Sequence, residues 1–329
     1  MSEETARDRF VGCLLGLAVG DALGAPYEAT IPSATPEEIC AAYLPIRANR
    51  LPPGRWAGSA QLAMETVRVF LDEGGVEPKS VAKAFGRLLQ RGIALRWGRA
   101  TFKTIGSMVY YKKRWDRVAN GPGSAGNTPA IRCIPLGLWH ARAPGLIPED
   151  ARRLSSITHK DRRTVAGTAA VAAAVAHAVN AARLDAASLL VDVVDAVDPI
   201  HPEFGNVIGD VVMLRELPRE TAEQMIVALG QKGPFEGTYA GAITGYILPT
   251  VMIGLYHVVQ NPGDFVQQVG RTIATGGDTA ATGALAGALA GAFGGASAIP
   301  EHLRRDLCDA DEVVELAGAM SEAAMGSRL

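Results

Sequence analysis

Three carboxylates, a glycine-rich loop, one histidine and a pair of arginines are the residues here whose types and spacing can do chemistry. Asp21 stands in Gly20-Asp21-Ala22-Leu23-Gly24, and Glu28 follows it. Asp278 stands in Thr275-Gly276-Gly277-Asp278-Thr279-Ala280-Ala281, near the other end. An acid and a base or nucleophile suffice for glycoside hydrolysis, and carboxyl groups supply both. In Gly123-Ser124-Ala125-Gly126-Asn127, Gly123, Ser124 and Gly126 can expose backbone N–H groups as an anion nest, while Asn127 adds a donor and an acceptor. His159 precedes a small-residue helix and can donate to a phosphate there. Arg96 and Arg99 carry positive charge and cannot act as bases near neutral pH. Plainer readings stand beside these. Asp21 can belong to a helix C-cap and turn, His159 to a cap or core, and the arginines to a solvated helix end.

Helices must position these groups. Apolar residues recur at helical spacing in Arg9–Val19, Leu62–Leu71, Val81–Leu89, Arg163–Ala182 and Leu184–Val197. The same holds for Ala222–Leu229, Asp264–Ala274, Thr279–Phe293 and Ala310–Ala324. Alternating strand patterns are almost absent, so the expected fold is all-α, one domain over residues 1–329. Gly283, Gly287 and Gly291 recur every four residues and share one helix face. That face lets another backbone approach closely. The stretches Ile31–Gly54 and 120–129 are rich in proline, glycine and polar residues, and long loops in compact domains often carry function.

Composition narrows the function classes. Hydrophobic residues make up 48% and charged residues 20%, which describes a globular chain. Net charge is -2 with both signs interspersed, so no basic face for nucleic acid is expected. Cys13, Cys40, Cys133 and Cys308 are far apart, which speaks against a zinc site and a disulfide framework. The polar start Met1-Ser2-Glu3-Glu4-Thr5 does not look like a secretory signal, and a cytoplasmic location is expected. Ala240–Val259 has the length and apolarity of a membrane span. Its internal Gly245 and Pro249 and its unflanked ends favour a buried central helix, so no membrane partner is expected.

Taken in order, these stretches resemble the ADP-ribosylglycohydrolase family. The family reads G-D-A-x-G…E, then T-D-D-T, G-N-G-x-x-M-R with a following proline, T-H-x-D, and G-G-D-x-D-T. Gly20–Gly24 and Glu28 match the first pattern, and Thr158-His159-Lys160-Asp161 the fourth. Gly126-Asn127-Thr128-Pro129-Ala130-Ile131-Arg132 with Pro135 matches the third, and Thr128 and Ile131 depart from it. The T-D-D-T positions are Ala57, Gly58, Ser59 and Ala60, and the last motif ends in Ala280 and Ala281 after Asp278. Arg96-Trp97-Gly98-Arg99-Ala100-Thr101 falls where arginine-specific members have D-I-G-x-T-T, with Arg96 at the catalytic Asp. Ile299-Pro300 follows the glycine-rich helix, and the resemblance spans residues 9 to 305.

The resemblance implies two magnesium or manganese ions that bind ribose hydroxyls and activate water. It also implies that the loop and His159 hold the diphosphate and ribose of ADP-ribose. Hard cations need a dense set of oxygen ligands. Of the matched ligand positions only Glu28 and Asp278 keep a carboxylate, and Ser59 keeps a hydroxyl. Gly58, Ser59, Ala280 and Ala281 are then vestigial, and at most one weakly bound magnesium is expected as cofactor. Three readings follow. The first is a protein that binds ADP-ribose or a related nucleotide or glycoside without metal-dependent hydrolysis. The second is a metal-independent glycosidase using Asp21, Glu28 and Asp278, with Arg96 replacing metal charge. The third is a structural or protein-binding helical protein.

Overall fold

The computed structural model describes residues 2–46, 51–119, 121, 123–231 and 239–326. Outside them lie Asn120 and Pro122 of the long loop, residues 47–50 of the proline-rich stretch and the ends of the expected domain. The fold is all-α, and no strand longer than an isolated bridge occurs among the described residues.

The glycine stripes decide the centre. Helix Glu3–Gly24 and helix Thr279–Gly294 cross backbone to backbone. Gly12 faces Gly291, Gly16 faces Gly287 and Gly20 faces Gly283. A Cβ at Gly16 would lie 2.0 Å from the Gly287 carbonyl oxygen. Both helices are buried on nearly all sides, as are Arg162–Asn180 and Ile247–Gln260, which pack against Thr279–Gly294. The alanine-rich composition of Arg162–Asn180 suits that central place, because small side chains pack closely on every face. The outer helices are amphipathic. Pro78–Gln90 buries Val81, Ala82, Phe85 and Leu89 and leaves Lys79, Lys83 and Arg87 facing water.

Two expectations change. Gly20–Gly24 is the last full turn of the first helix, not a cap beyond it. Gly24 keeps right-handed helical geometry, because its lack of a side chain serves contact with Thr279. Ala240–Val259 is not one helix. The helix starts at Ile247, and the residues before it bridge two loops. Arg99–Tyr111, absent from the sequence reading, is also helical. Among the described residues, one helical stretch, Glu3–Tyr27, is long and apolar enough to cross a membrane, and 89% of its apolar window is buried inside the fold.

Candidate functional site

Four helices start at one cavity of about 600 Å³. They are Gly58–Glu73, Arg99–Tyr111, Thr128–Arg132 and Thr279–Gly294. First-turn N–H groups and the positive end of the helix dipole favour anions at such a place. Asp21, Glu28, Asp278 and Arg96 line this cavity. So do Gly123, Ser124, Gly126, Asn127 and His159, and so do Gly58, Ser59, Ala280 and Ala281.

A short central segment gathers these distant residues. Ile243 bridges to Gly277, and Tyr246 to Gly126. The Asp278 N–H donates to the Ile243 carbonyl at 2.9 Å, and the Asn127 N–H to Gly245 at 3.1 Å. Gly277 exchanges bonds with the chain beyond Glu28: its N–H donates to Thr30 at 2.8 Å and its carbonyl accepts from Ala29 at 2.9 Å. Gly277 has φ +88°, and a Cβ there would lie 1.9 Å from the Ile243 carbonyl oxygen. Only glycine serves both needs.

Asp21 departs from the role expected of it. Its Oδ1 accepts from the Ala57 N–H at 2.7 Å and its Oδ2 from the Ala60 N–H at 3.0 Å. Ala57 caps helix Gly58–Glu73 without a side-chain acceptor of its own, so Asp21 supplies the cap from another helix. Of the three carboxyls, Glu28 and Asp278 are the two not committed to capping Gly58–Glu73. Burial raises the Asp21 pKa to about 6, against the pull of these two bonds. Asp21→Ala would leave two buried N–H groups without an acceptor. The expected loss is about 3 kcal/mol, read as a lower denaturant midpoint. Asp21→Asn keeps one acceptor and should lose less. Equal, negligible losses in both variants would refute the capping role.

Glu28 and Asp278 are close enough for each carboxyl to bear on the other's ionisation. Tyr239 donates its hydroxyl to Glu28 Oε1 at 3.2 Å, and the Ala280 N–H donates to Oε2 at 3.3 Å. Burial, followed by the nearby Asp278 charge, pushes the Glu28 carboxyl up to about 8. Burial also raises Asp278, while the Asn127 amide opposes the rise. Two buried carboxyls that feel each other's charge cannot both ionise cheaply. The sign for stability follows. The unfolded Glu28 ionises near 4.5 and the folded one near 8, so stability falls as pH rises between them. Urea unfolding in chelator at pH 5, 7 and 8.5 should show this fall, and Glu28→Gln should flatten it. Parallel pH profiles in the two proteins would count against the pair.

Asn127 and the loop also serve structure. Asn127 Nδ2 donates to Asp278 Oδ2 at 2.8 Å and to Thr250 Oγ1 at 2.9 Å, so its amide orients Asp278. The expected nest is largely occupied from within. The Gly123 N–H donates to Asp161 Oδ2 at 2.7 Å, and the Ser124 N–H to the Gly121 carbonyl at 3.3 Å. Asp161 is also gripped by Arg163, chiefly through hydrogen bonds that hold its pKa down at about 2. His159 is buried, with Nδ1 at 2.8 Å from Thr158 Oγ1. Burial, then Arg132, lowers its pKa to about 3, so it faces the cavity as neutral imidazole.

Two further residues escaped the sequence reading. Tyr239 lines the cavity, and no motif marks it. Gln61 is buried and clamps the loop that carries Arg96. Its Nε2 donates to the Ile93 carbonyl at 2.7 Å, and its Oε1 accepts from the Leu95 N–H and Trp97 Nε1, each at 2.9 Å.

This arrangement can be set beside known proteins. The ADP-ribosylglycohydrolase family profile matches residues 2–328. The chain belongs to the ADP-ribosylglycohydrolase family. Over 322 residues it is 26% identical to an uncharacterized protein of Archaeoglobus fulgidus, covering 96% of each chain. It is also 26% identical to the ADP-ribosyl-[dinitrogen reductase] glycohydrolase of Rhodospirillum rubrum, over 87% of this chain and 85% of that one. A solved structure titled as an ADP-ribosylglycohydrolase-related protein complex superposes with a TM-score of 0.74 at 28% identity, covering 98% of this chain and 100% of that one. Against the family's ligand pattern, positions 57, 58, 280 and 281 carry no side-chain oxygen in this member. Among the described residues, no three His, Cys, Asp or Glu side chains gather where a metal ion could be held.

Proposed function

We propose that this family member binds a ribosyl nucleotide of the ADP-ribose type in this cavity and does not perform the family's metal-dependent hydrolysis. The observation that carries this reading is the joint placement of Glu28, Asp278, Arg96 and the Asn127–His159 wall around one open space. A protonated Glu28 beside Asp278 can donate to a ribose hydroxyl while the second carboxyl accepts from another. The start of helix Arg99–Tyr111, whose first turn lines the cavity, suits a phosphate.

The donor set does not fit a binuclear cluster. Asp21 has both oxygens on backbone N–H groups, Glu28 accepts from Tyr239 and the Ala280 N–H, and Asp278 accepts from Asn127. One weakly held magnesium is the most this set supports. Position 58 is also closed. A Cβ there would lie 2.2 Å from the Leu95 carbonyl oxygen. The ligand class is thus a small nucleotide or glycoside, and a cytoplasmic setting without nucleic acid or membrane is the one we expect. A protein partner remains compatible with this reading.

A second reading, metal-independent glycoside hydrolysis, is favoured by one observation. Glu28 is an acid still protonated at neutral pH beside a second carboxyl. Thermal melting with ADP-ribose, with and without magnesium, tests the binding reading. ADP-ribose at about 100 times its Kd should stabilise by about 2.7 kcal/mol. The shift should be unchanged by metal and reduced by Asp278→Ala. A shift that requires metal, or no shift at all, would overturn it.

A further inference from the structure

A second cavity of about 470 Å³ adjoins the first and shares Glu28 and Arg96 with it. Among the described residues its other lining is Ala25, Pro26, Leu44, Pro45 and Ile46, all apolar. The two chambers therefore meet at one carboxyl and one guanidinium.

Arg96 is built into that place. Its backbone is left-handed, with φ +45°, a conformation that costs a residue with a Cβ on the order of 1–2 kcal/mol. Gln61 holds the chain on both sides of it, through Ile93, Leu95 and Trp97. Gly58 lets the same loop settle on the helix start, with the Leu95 and Arg96 carbonyl oxygens 2.2 and 2.9 Å from where a Cβ would stand. The guanidinium bears electrostatically on Asp21, Glu28 and Tyr239, the groups around the junction.

We infer that the smaller chamber is a subsite for the group joined to the ribosyl unit, and that this group is an apolar body bearing a carboxylate, not a cation. The inference rests on the ribosyl-nucleotide reading for the neighbouring chamber. Its argument is charge and surface. A guanidinium or ammonium entering here meets Arg96, and Glu28, the one carboxyl among the described lining residues, already accepts from Tyr239 and the Ala280 N–H. A carboxylate meets the Arg96 fork and gains charge-assisted hydrogen bonds. An apolar body covers Ala25, Pro26, Leu44 and Ile46, which offer a cation nothing.

Benzoate, benzamide and benzamidine form a series of one shape and three charges. Calorimetric titration of the full chain with each, in the presence and absence of saturating ADP-ribose, tests the subsite. Benzoate should bind about tenfold or more tighter than benzamide, benzamidine should not bind, and ADP-ribose should leave benzoate affinity intact. Arg96→Gly accepts the left-handed backbone without strain, so it isolates the charge from folding. It should lower benzoate affinity at least about tenfold. Arg96→Glu should move the preference to benzamidine. Leu44→Trp should narrow the chamber and weaken benzoate while ADP-ribose still binds. Benzamidine binding as tightly as benzoate, no binding by any of the three, or benzoate binding indifferent to Arg96→Gly and Leu44→Trp would each overturn the inference. The two readings fail distinguishably. ADP-ribose binding without benzoate binding removes only the subsite, whereas benzoate binding without ADP-ribose binding removes the nucleotide reading and the subsite's link to a ribosyl unit, leaving an anion-preferring chamber.

Discussion

A single methyl group at Gly16 is expected to cost this protein about 3 kcal/mol or more, enough to leave little folded chain at physiological temperature. The Cβ of Gly16→Ala would lie 2.0 Å from the Gly287 carbonyl oxygen and 2.7 Å from its carbonyl carbon. These neighbours are backbone atoms inside a buried helix, and they cannot rotate away as a side chain can. Relief requires the helices Glu3–Gly24 and Thr279–Gly294 to separate. Separation at this point also opens the contacts of Gly12 with Gly291 and Gly20 with Gly283. Gly287→Ala meets Gly16 at the same 2.0 Å and should behave alike. Gly75→Ala, which would meet nothing within 4 Å, is the control and should change little. Urea denaturation of the three variants decides the matter. A loss below about 1 kcal/mol at Gly16 would mean that the helices can slide apart without penalty, contrary to close-packed interiors. The effect also reaches the site, because Gly24 contacts Thr279 beside the Glu28–Asp278 pair. A folded but loosened Gly16 variant should therefore bind ADP-ribose less well.

That helix crossing shows what a sequence displays and what it hides. The Gly283, Gly287, Gly291 stripe is legible as a close-packing face because its spacing repeats on one side of a helix. Its partner stripe, Gly12, Gly16, Gly20 and Gly24, has the same spacing, yet Gly20 and Gly24 also suit a helix end. Local pattern cannot choose between them, and the tertiary contact does. Residue types at the cavity were legible for the same reason that motifs are: Asp21, Glu28, Asn127, His159 and Asp278 all line it. Their partners were not legible. Asp21 is occupied by two N–H groups, and Asn127 by Thr250 and Asp278, and such commitments depend on which backbone arrives nearby. Gln61 and Tyr239 have no distinguishing neighbours in the sequence, so only their bonds reveal them. Ala240–Val259 read as one helix because hydropathy does not register that Ile243 and Tyr246 bridge other loops.

Release of ADP-ribose from ADP-ribosyl-arginine and ADP-ribosyl-serine is expected to stay at background, even with excess magnesium or manganese. The expected deficit against a two-metal site is on the order of 10³-fold or more, since losing even one preorganised electrostatic donor costs about 10²–10³. Two cations would have to hold the ribose diol and a water while charge develops. Here Ala57, Gly58, Ala280 and Ala281 offer no side-chain oxygen. Restoring carboxylates should fail unevenly. Ser59 and Ala280 face the cavity, so Ser59→Asp with Ala280→Asp is the variant in which some metal affinity can return. Adding Gly58→Asp should lower stability instead, because its Cβ would meet the Leu95 carbonyl oxygen at 2.2 Å within a loop that Gln61 holds. Calorimetric titration of the native chain should find at most one weak metal site. The release assay should be run beside Glu28→Gln with Asp278→Asn. Background rates in both proteins agree with binding without hydrolysis. Robust turnover in the native chain that vanishes in the double variant would refute it and assign the chemistry to the Glu28–Asp278 pair. Turnover that survives chelation would make that chemistry metal-independent, with Glu28 the acid that protonates the leaving group.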